Sequence, residues 1–169
     1  MTRHTLAGWM LCIVVMLGAG HARAQQPTTE YYDTKKIVTV KGIVRIVLGL
    51  PPPAPMVLMV EMTSANGQKA MWVLSGNPMT TLRRDGWQLI GPNAAVKSQE
   101  EITVTAWLPH DTQKAVKALA PLLQMPAPGG GTSGPPGFLA EVEAKRAHLA
   151  YGLEIIKADG EKLRFGDAP

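Results

Sequence analysis

The sequence predicts a mainly β fold: a small OB-like five-stranded barrel with a short helix after strand three and a helical, Pro/Gly-rich insert before the last strand. Three observations carry this expectation. Segments of alternating apolar and polar residues recur at positions 36–48, 56–62, 69–74, 101–108 and 148–157. An Asn-Gly pair, the strongest short hairpin signal, joins the second segment to the third. Helix signals at positions 77–86 fall between the third and fourth strands, where an OB-type barrel carries the helix that closes one end.

In the first segment Ile37, Thr39, Lys41 and Ile43 fall on one face and Val38, Val40 and Val44 on the other, the period of a β-strand. Gly42 sits in its middle and predicts a bulge or sharp bend, because a glycine inside a strand adds no side-chain packing and permits unusual backbone. Positions 50–55 are Leu-Pro-Pro-Pro-Ala-Pro, which lack most ladder donors and predict an extended connector. Ser64-Ala65-Asn66-Gly67 then turns the second strand into the third.

Asn77 is placed to cap a helix, Pro78 suits its first turn, Arg83 and Arg84 suit its negative end, and Gly86 suits the left-handed residue that stops it. In the fourth strand Ile102, Val104 and Ala106 alternate with Thr103, Thr105 and Trp107. The insert spans 109–147. Asp111 or Thr112 can cap a helix with Val116, Leu119 and Ala120 on one face, which Pro121 stops or kinks. Positions 125–137 read as a loop, and 138–146 as a second helix with Glu141 and Lys145 four apart. After the last long strand, Ala158-Asp159-Gly160 turns the chain back into 162–165.

Ahead of this β region lies a secretion signal: Arg3 and His4, then an apolar run over positions 6–19, then Ala22-Arg23-Ala24. A bilayer-spanning helix needs roughly 20 apolar residues, and this run has only about 14. Cleavage is expected between Ala24 and Gln25, giving residues 1–24 as signal peptide and 25–169 as a single domain, exported by the general secretory route to the periplasm or beyond. Cys12 lies inside the apolar run and not at a cleavage site, so no lipid anchor is expected. The mature chain then has no cysteine, and it loses Arg3 and Arg23, so its seventeen basic residues fall to fifteen against thirteen acidic ones. That balance leaves no basic cluster large enough to follow a phosphate backbone, and nucleic acid is not an expected partner.

The segment Asp33, Lys36 and Val38-Thr39-Val40-Lys41-Gly42-Ile43-Val44, the Asn66-Gly67 turn leading to Trp72, and Leu82-Arg83-Arg84-Asp85-Gly86-Trp87 together resemble the small exported bacterial proteins of domain of unknown function 6152. The closing Asp159-Gly160-Glu161-Lys162-Leu163 extends the likeness. The resemblance implies a secreted barrel of unestablished activity. Members often carry a His-His-Ser stretch near the mature N-terminus and Asn-Pro-His in the first connector. Here those regions read Glu30-Tyr31-Tyr32-Asp33 and positions 50–55, so a metal or ligand role resting on those histidines does not transfer.

No motif predicts catalysis. Gly129-Gly130-Gly131-Thr132-Ser133-Gly134 has the letters of a dinucleotide loop but neither follows a strand nor opens a βαβ unit. Ser133 lacks a nucleophile elbow, and His110 and His148 are the mature chain's histidines. Glu100 and Glu101 are adjacent on a strand edge and point to opposite faces. The expected function is therefore a non-enzymatic binding or interaction module for a small ligand or an envelope protein, with Trp72, Arg83, Arg84, Trp87 and Trp107 as candidate ligand-binding residues and no cofactor. One alternative is a periplasmic carrier of copper or another soft metal through Met56, Met62, Met71, His110 and His148, since thioether and imidazole suit Cu(I). Against it, Met56 and Met62 share a face with Leu58 and Val60, the pattern of a core. A second alternative is an envelope enzyme that no motif reveals.

Overall fold

The computed structural model describes residues 30–50, 54–88, 91–123 and 147–167. The predicted signal peptide with Ala24 and Gln25, the leader up to position 29, the prolines 51–53, and the loop and second helix expected over 125–146, Met125 included, lie outside the described residues.

Six strands form one sheet: β1 (Tyr32–Gly49), β2 (Pro55–Thr63), β3 (Lys69–Pro78), β4 (Glu101–Pro109), β5 (Ala147–Lys157) and β6 (Lys162–Arg164). Helix α1 (Met79–Arg84) follows β3, and α2 (Thr112–Leu123) lies between β4 and β5. Neighbours in the order β3-β2-β1-β4-β5-β6 are antiparallel, and a parallel pairing of β3 with β5 joins the two sides, so the hydrogen bonds run in a ring through β1, β2, β3, β5 and β4. The sixth strand, read from sequence only as a returning segment, pairs with β5 outside that ring.

β1 serves two partners. Its first half pairs with β4 as far as Ile43, and its second half pairs with β2 from Ile43 onward. Its register slips at two places, with β4 between Tyr32 and Ile37 and with β2 at Arg45, between Val44 and Ile46, and at neither does Gly42 form the expected bulge. Gly42 instead permits a close approach, because a Cβ there would stand only 2.4 Å from the Glu61 carbonyl oxygen and 2.9 Å from Val60. The bulge is tied down by neighbouring chain: the Gln99 amide donates to the Val44 carbonyl, the Ser98 hydroxyl to the Arg45 carbonyl, and the Arg45 guanidinium to Gln99 and Glu61. Gln99 takes a left-handed φ of 67° to do so. Gly42→Ala is expected to lower stability by about 1–3 kcal/mol by overpacking, read as a lower urea midpoint at unchanged slope.

The β2–β3 hairpin forms as expected, with Gly67 at φ 79° and the Asn66 side chain accepting from the Gln68 amide. β3 runs four residues past its expected end, because Ser75 still pairs with Val57 and Tyr151 and Pro78 faces Pro55. Asn77 is therefore a buried strand residue and not the helix cap; Pro78 takes the cap position without a side-chain hydrogen bond. The far end of α1 behaves as predicted. Gly86 is left-handed, its amide donates to Arg83 and the Trp87 amide donates to Leu82, the closure that brings the residue after the glycine against the last turn. Asp111 caps α2, accepting from the Gln113 and Lys114 amides, and Pro121 lies inside that helix without stopping it.

Two main apolar layers result. Inside the ring, Val40, Val44, Met56, Leu58, Val60, Leu74, Ile102, Val104, Ala150 and Ile155 pack with Leu82 and Trp87 of the α1 region and with Phe165. Outside it, Ala115, Val116 and Leu119 of α2 cover Val57, Met59, Val73 and Leu149.

Candidate functional site

The outer layer leaves a cleft between α2 and the sheet, lined by Tyr31, Tyr32, Pro55, Ser75, Ala115, Ala118 and Leu119. It is a half-open depression whose enclosed part has room for about one water molecule. Each wall has a local cause. Alanines at positions 115 and 118 lie one turn apart on α2, and their small side chains keep the helix from filling the space. Tyr32 opens β1 opposite Pro109, and Ser75 stands where β3 pairs with both β2 and β5.

Polar chemistry sits in this apolar setting. The Tyr32 hydroxyl and Ser75 Oγ lie 3.2 Å apart, either able to donate, and Ser75 also reaches the Ala150 carbonyl at 3.5 Å. Tyr32 is 3 % exposed, and burial pushes its phenol up to about 12, the hydrogen bond from Ser75 opposing the shift. Its ring lies 5.5 Å from that of Tyr151, which in turn stacks on Trp107 at 5.9 Å. The Tyr151 hydroxyl donates to Asn77 Oδ1 and accepts from the Asp167 amide, and Asn77 Nδ2 donates to the Asp167 carboxylate. Burial also pushes Tyr151 up to about 12. Both phenols are thus neutral donors and acceptors at ordinary pH, suited to fixing an uncharged group and unsuited to acting as bases. At the rim, the Lys114 ammonium lies 5.3 Å over the Tyr31 ring and 3.6 Å from Glu30.

The residues singled out from sequence are dispersed. Trp87 is buried and stacks on Phe165 at 5.7 Å, and Trp107 is buried against Tyr151, so both are interior side chains. Arg83 and Arg84 are exposed in the last turn of α1, where the helix dipole favours them. Trp72 is half-buried and stacks on the exposed His148 at 4.7 Å, brought there by the β3–β5 pairing. Its indole N–H is buried with no acceptor among the described residues.

Of the proposed metal donors, Met56 and Met62 pack with the ring interior and Met71 with the outer layer, as the strand alternation requires. His110 faces Asp33 at 3.9 Å, while His148 lies on Trp72. The five therefore do not converge on one point, and among the described residues no three His, Cys, Asp or Glu side chains are grouped to hold a metal. Sequence reading missed Tyr32 and Ser75, which stand 43 positions apart and meet only through sheet closure.

No described helix is long and apolar enough to cross a membrane. No curated protein and no solved structure matches the chain. The model of one family of unknown function, DUF6152, matches residues 12–117, from inside the N-terminal apolar run to the middle of α2, and leaves β5 and β6 outside the match. The chain, matched over more than half its length, belongs to that family.

Proposed function

We propose that this chain is an exported, non-enzymatic binding module that holds a small ligand in the cleft beneath α2. The observation carrying the reading is the Tyr32–Ser75 hydroxyl pair in the lining of an otherwise apolar cleft. A few placed polar groups among apolar side chains are what fixes a small molecule's orientation in a binding site. An OB-type barrel is the architecture proposed for the ring, supported by the strand order β1-β2-β3-β5-β4 and by α1 between β3 and β4. Export, with cleavage between Ala24 and Gln25, is supported by the basic start, short apolar run and Ala22-Arg23-Ala24.

Native mass spectrometry of protein recovered from the cell envelope of its own host tests the export and ligand readings in one spectrum. The expected result is a polypeptide mass beginning at Gln25 and carrying a small non-covalent mass. An uncleaved polypeptide defeats the export reading, and repeated recovery bound only to another protein replaces the small ligand with an envelope partner.

A second reading, a carrier of Cu(I), rests on the stacking of Trp72 on His148, with Met62 and Trp72 both packed against the interior layer. Thioether and imidazole are suitable donors and an indole face attracts a cation. On this reading Cu(I) quenches tryptophan fluorescence, Met62→Leu and His148→Ala abolish the quenching, and Met71→Leu leaves it unchanged. Quenching that survives both substitutions removes the reading.

A further inference from the structure

We infer that the turn joining β2 to β3 modifies itself: the Gly67 amide nitrogen attacks the Asn66 side-chain amide, and Ser64 and Gln68 stabilise the oxygen on which charge develops. Two donors already converge on that oxygen. The Ser64 hydroxyl and, at 3.1 Å, the Gln68 amide both donate to Asn66 Oδ1. The hydroxyl has one proton and a second acceptor, the Gln68 carbonyl at 2.9 Å, so it turns to whichever oxygen carries more charge. Donors set in advance around an oxygen that becomes anionic in the transition state are the largest single device of acyl-transfer catalysis.

The reaction consumes only water. The Gly67 nitrogen gives up its proton to hydroxide and bonds to Asn66 Cγ, leaving the negative charge on Oδ1. Collapse breaks the Cγ–Nδ2 bond, Nδ2 takes up a proton and leaves as ammonia, and a cyclic succinimide remains. Water then opens the ring, at Cγ to give aspartate or at the backbone carbonyl to give isoaspartate, in which the main chain runs through the side chain. Either product adds a negative charge to the turn. Asn66 and Gly67 are exposed, and a Cβ on Gly67 would meet nothing within 4 Å, so neither water nor the nucleophile is obstructed. The opposing contact is the hydrogen bond from the Gly67 amide to the Ser64 carbonyl at 2.9 Å, which opens before the nitrogen attacks.

The other asparagines lack this arrangement. Asn77 is buried and precedes Pro78, which has no N–H to lose. Asn93 is exposed, but it precedes Ala94, whose methyl group crowds the attack and whose amide donates to the Gly91 carbonyl. The test is peptide mapping by mass spectrometry of the purified protein held at mildly alkaline pH, with isoaspartate marked by an isoaspartyl methyltransferase. Asn66 is expected to lose its amide several-fold faster than Asn93. Ser64→Ala is expected to slow that loss several-fold, and Ser64→Thr, which keeps the hydroxyl, to restore it.

A Ser64 that only held the turn in shape would have the opposite effect, since its loss would loosen the turn and speed the reaction, so the sign of the change separates the two roles. A Ser64→Ala rate equal to or above that of the wild type, a Ser64→Thr rate no higher than that of Ser64→Ala, or amide loss at Asn66 no faster than at Asn93 overturns the inference.

Discussion

Phe165→Ala is expected to lower the unfolding free energy by about 3–5 kcal/mol, a large share of the 5–15 kcal/mol typical of a domain. The side chain is fully buried and stacks on Trp87. Its backbone does a second job. Beyond the last β3–β5 pair, Ser75 with Tyr151, the Phe165 carbonyl accepts from the Asn77 amide at 2.7 Å while its own amide donates to Leu153 at 2.8 Å. One residue thus bridges the two strands where they part, and its ring fills the interior at that point. Gly76 and Gly152 make the room, since a Cβ on either would stand 2.5 or 2.6 Å from the phenyl ring. Gly76→Ala and Gly152→Ala should each destabilise by about 1–3 kcal/mol, and more if the ring cannot shift. Urea unfolding with Phe165→Leu as the milder comparison measures these effects. A loss below about 1 kcal/mol for Phe165→Ala would show that the ring closes without it.

The second large effect is alkaline. Tyr32 and Tyr151 are each raised from 10.0 to about 12, in both cases chiefly by burial. The unfolded chain releases these protons near pH 10 while the folded protein keeps them to about pH 12, so the folded state binds more protons between those values. Their contribution is therefore complete below pH 10 and is lost as the pH rises toward 12, by up to about 3 kcal/mol for each phenol. Ultraviolet titration should find Tyr32 and Tyr151 ionising late, in step with unfolding. Tyr32→Phe and Tyr151→Phe should each remove one late step. Ionisation of Tyr32 and Tyr151 near pH 10 in protein that remains folded would contradict the burial argument.

Local pattern made much of this fold legible. Alternation placed all five long strands within a few residues, because a strand with one face in a core must repeat its apolar residues with period two. Asn66-Gly67 located the hairpin, and Gly86 the end of α1, since both positions need positive φ. The errors arose where long-range contacts override local rules. Asn77 has the composition of a cap, but its amide is taken by Phe165 and its side chain by Tyr151 and Asp167. Gly42 has the look of a bulge, yet the demand on it comes from Glu61 across the ladder.

The candidate site was less legible for the same reason. A signal for Trp87 was available: it follows the glycine that closes α1, a position whose apolar side chain packs back on the helix. No comparable signal marked Tyr32 and Ser75, since neither belongs to a motif and only the closing of the ring joins β1, β3 and β5 around them. The His148–Trp72 stack likewise depends on a parallel pairing between strands separated by α1, β4 and the whole insert.

The most direct test of the cleft as the binding site is methyl-detected NMR of protein loaded with the ligand it carries from its own host. Saturation of ligand protons should transfer to the methyl groups of Ala115, Ala118 and Leu119, with the Tyr32 ring resonances shifted and those of Trp72 and His148 unmoved. Transfer confined to Met62, with Trp72 and His148 shifted and the α2 methyls silent, would contradict the account and move the site to the other end of β3.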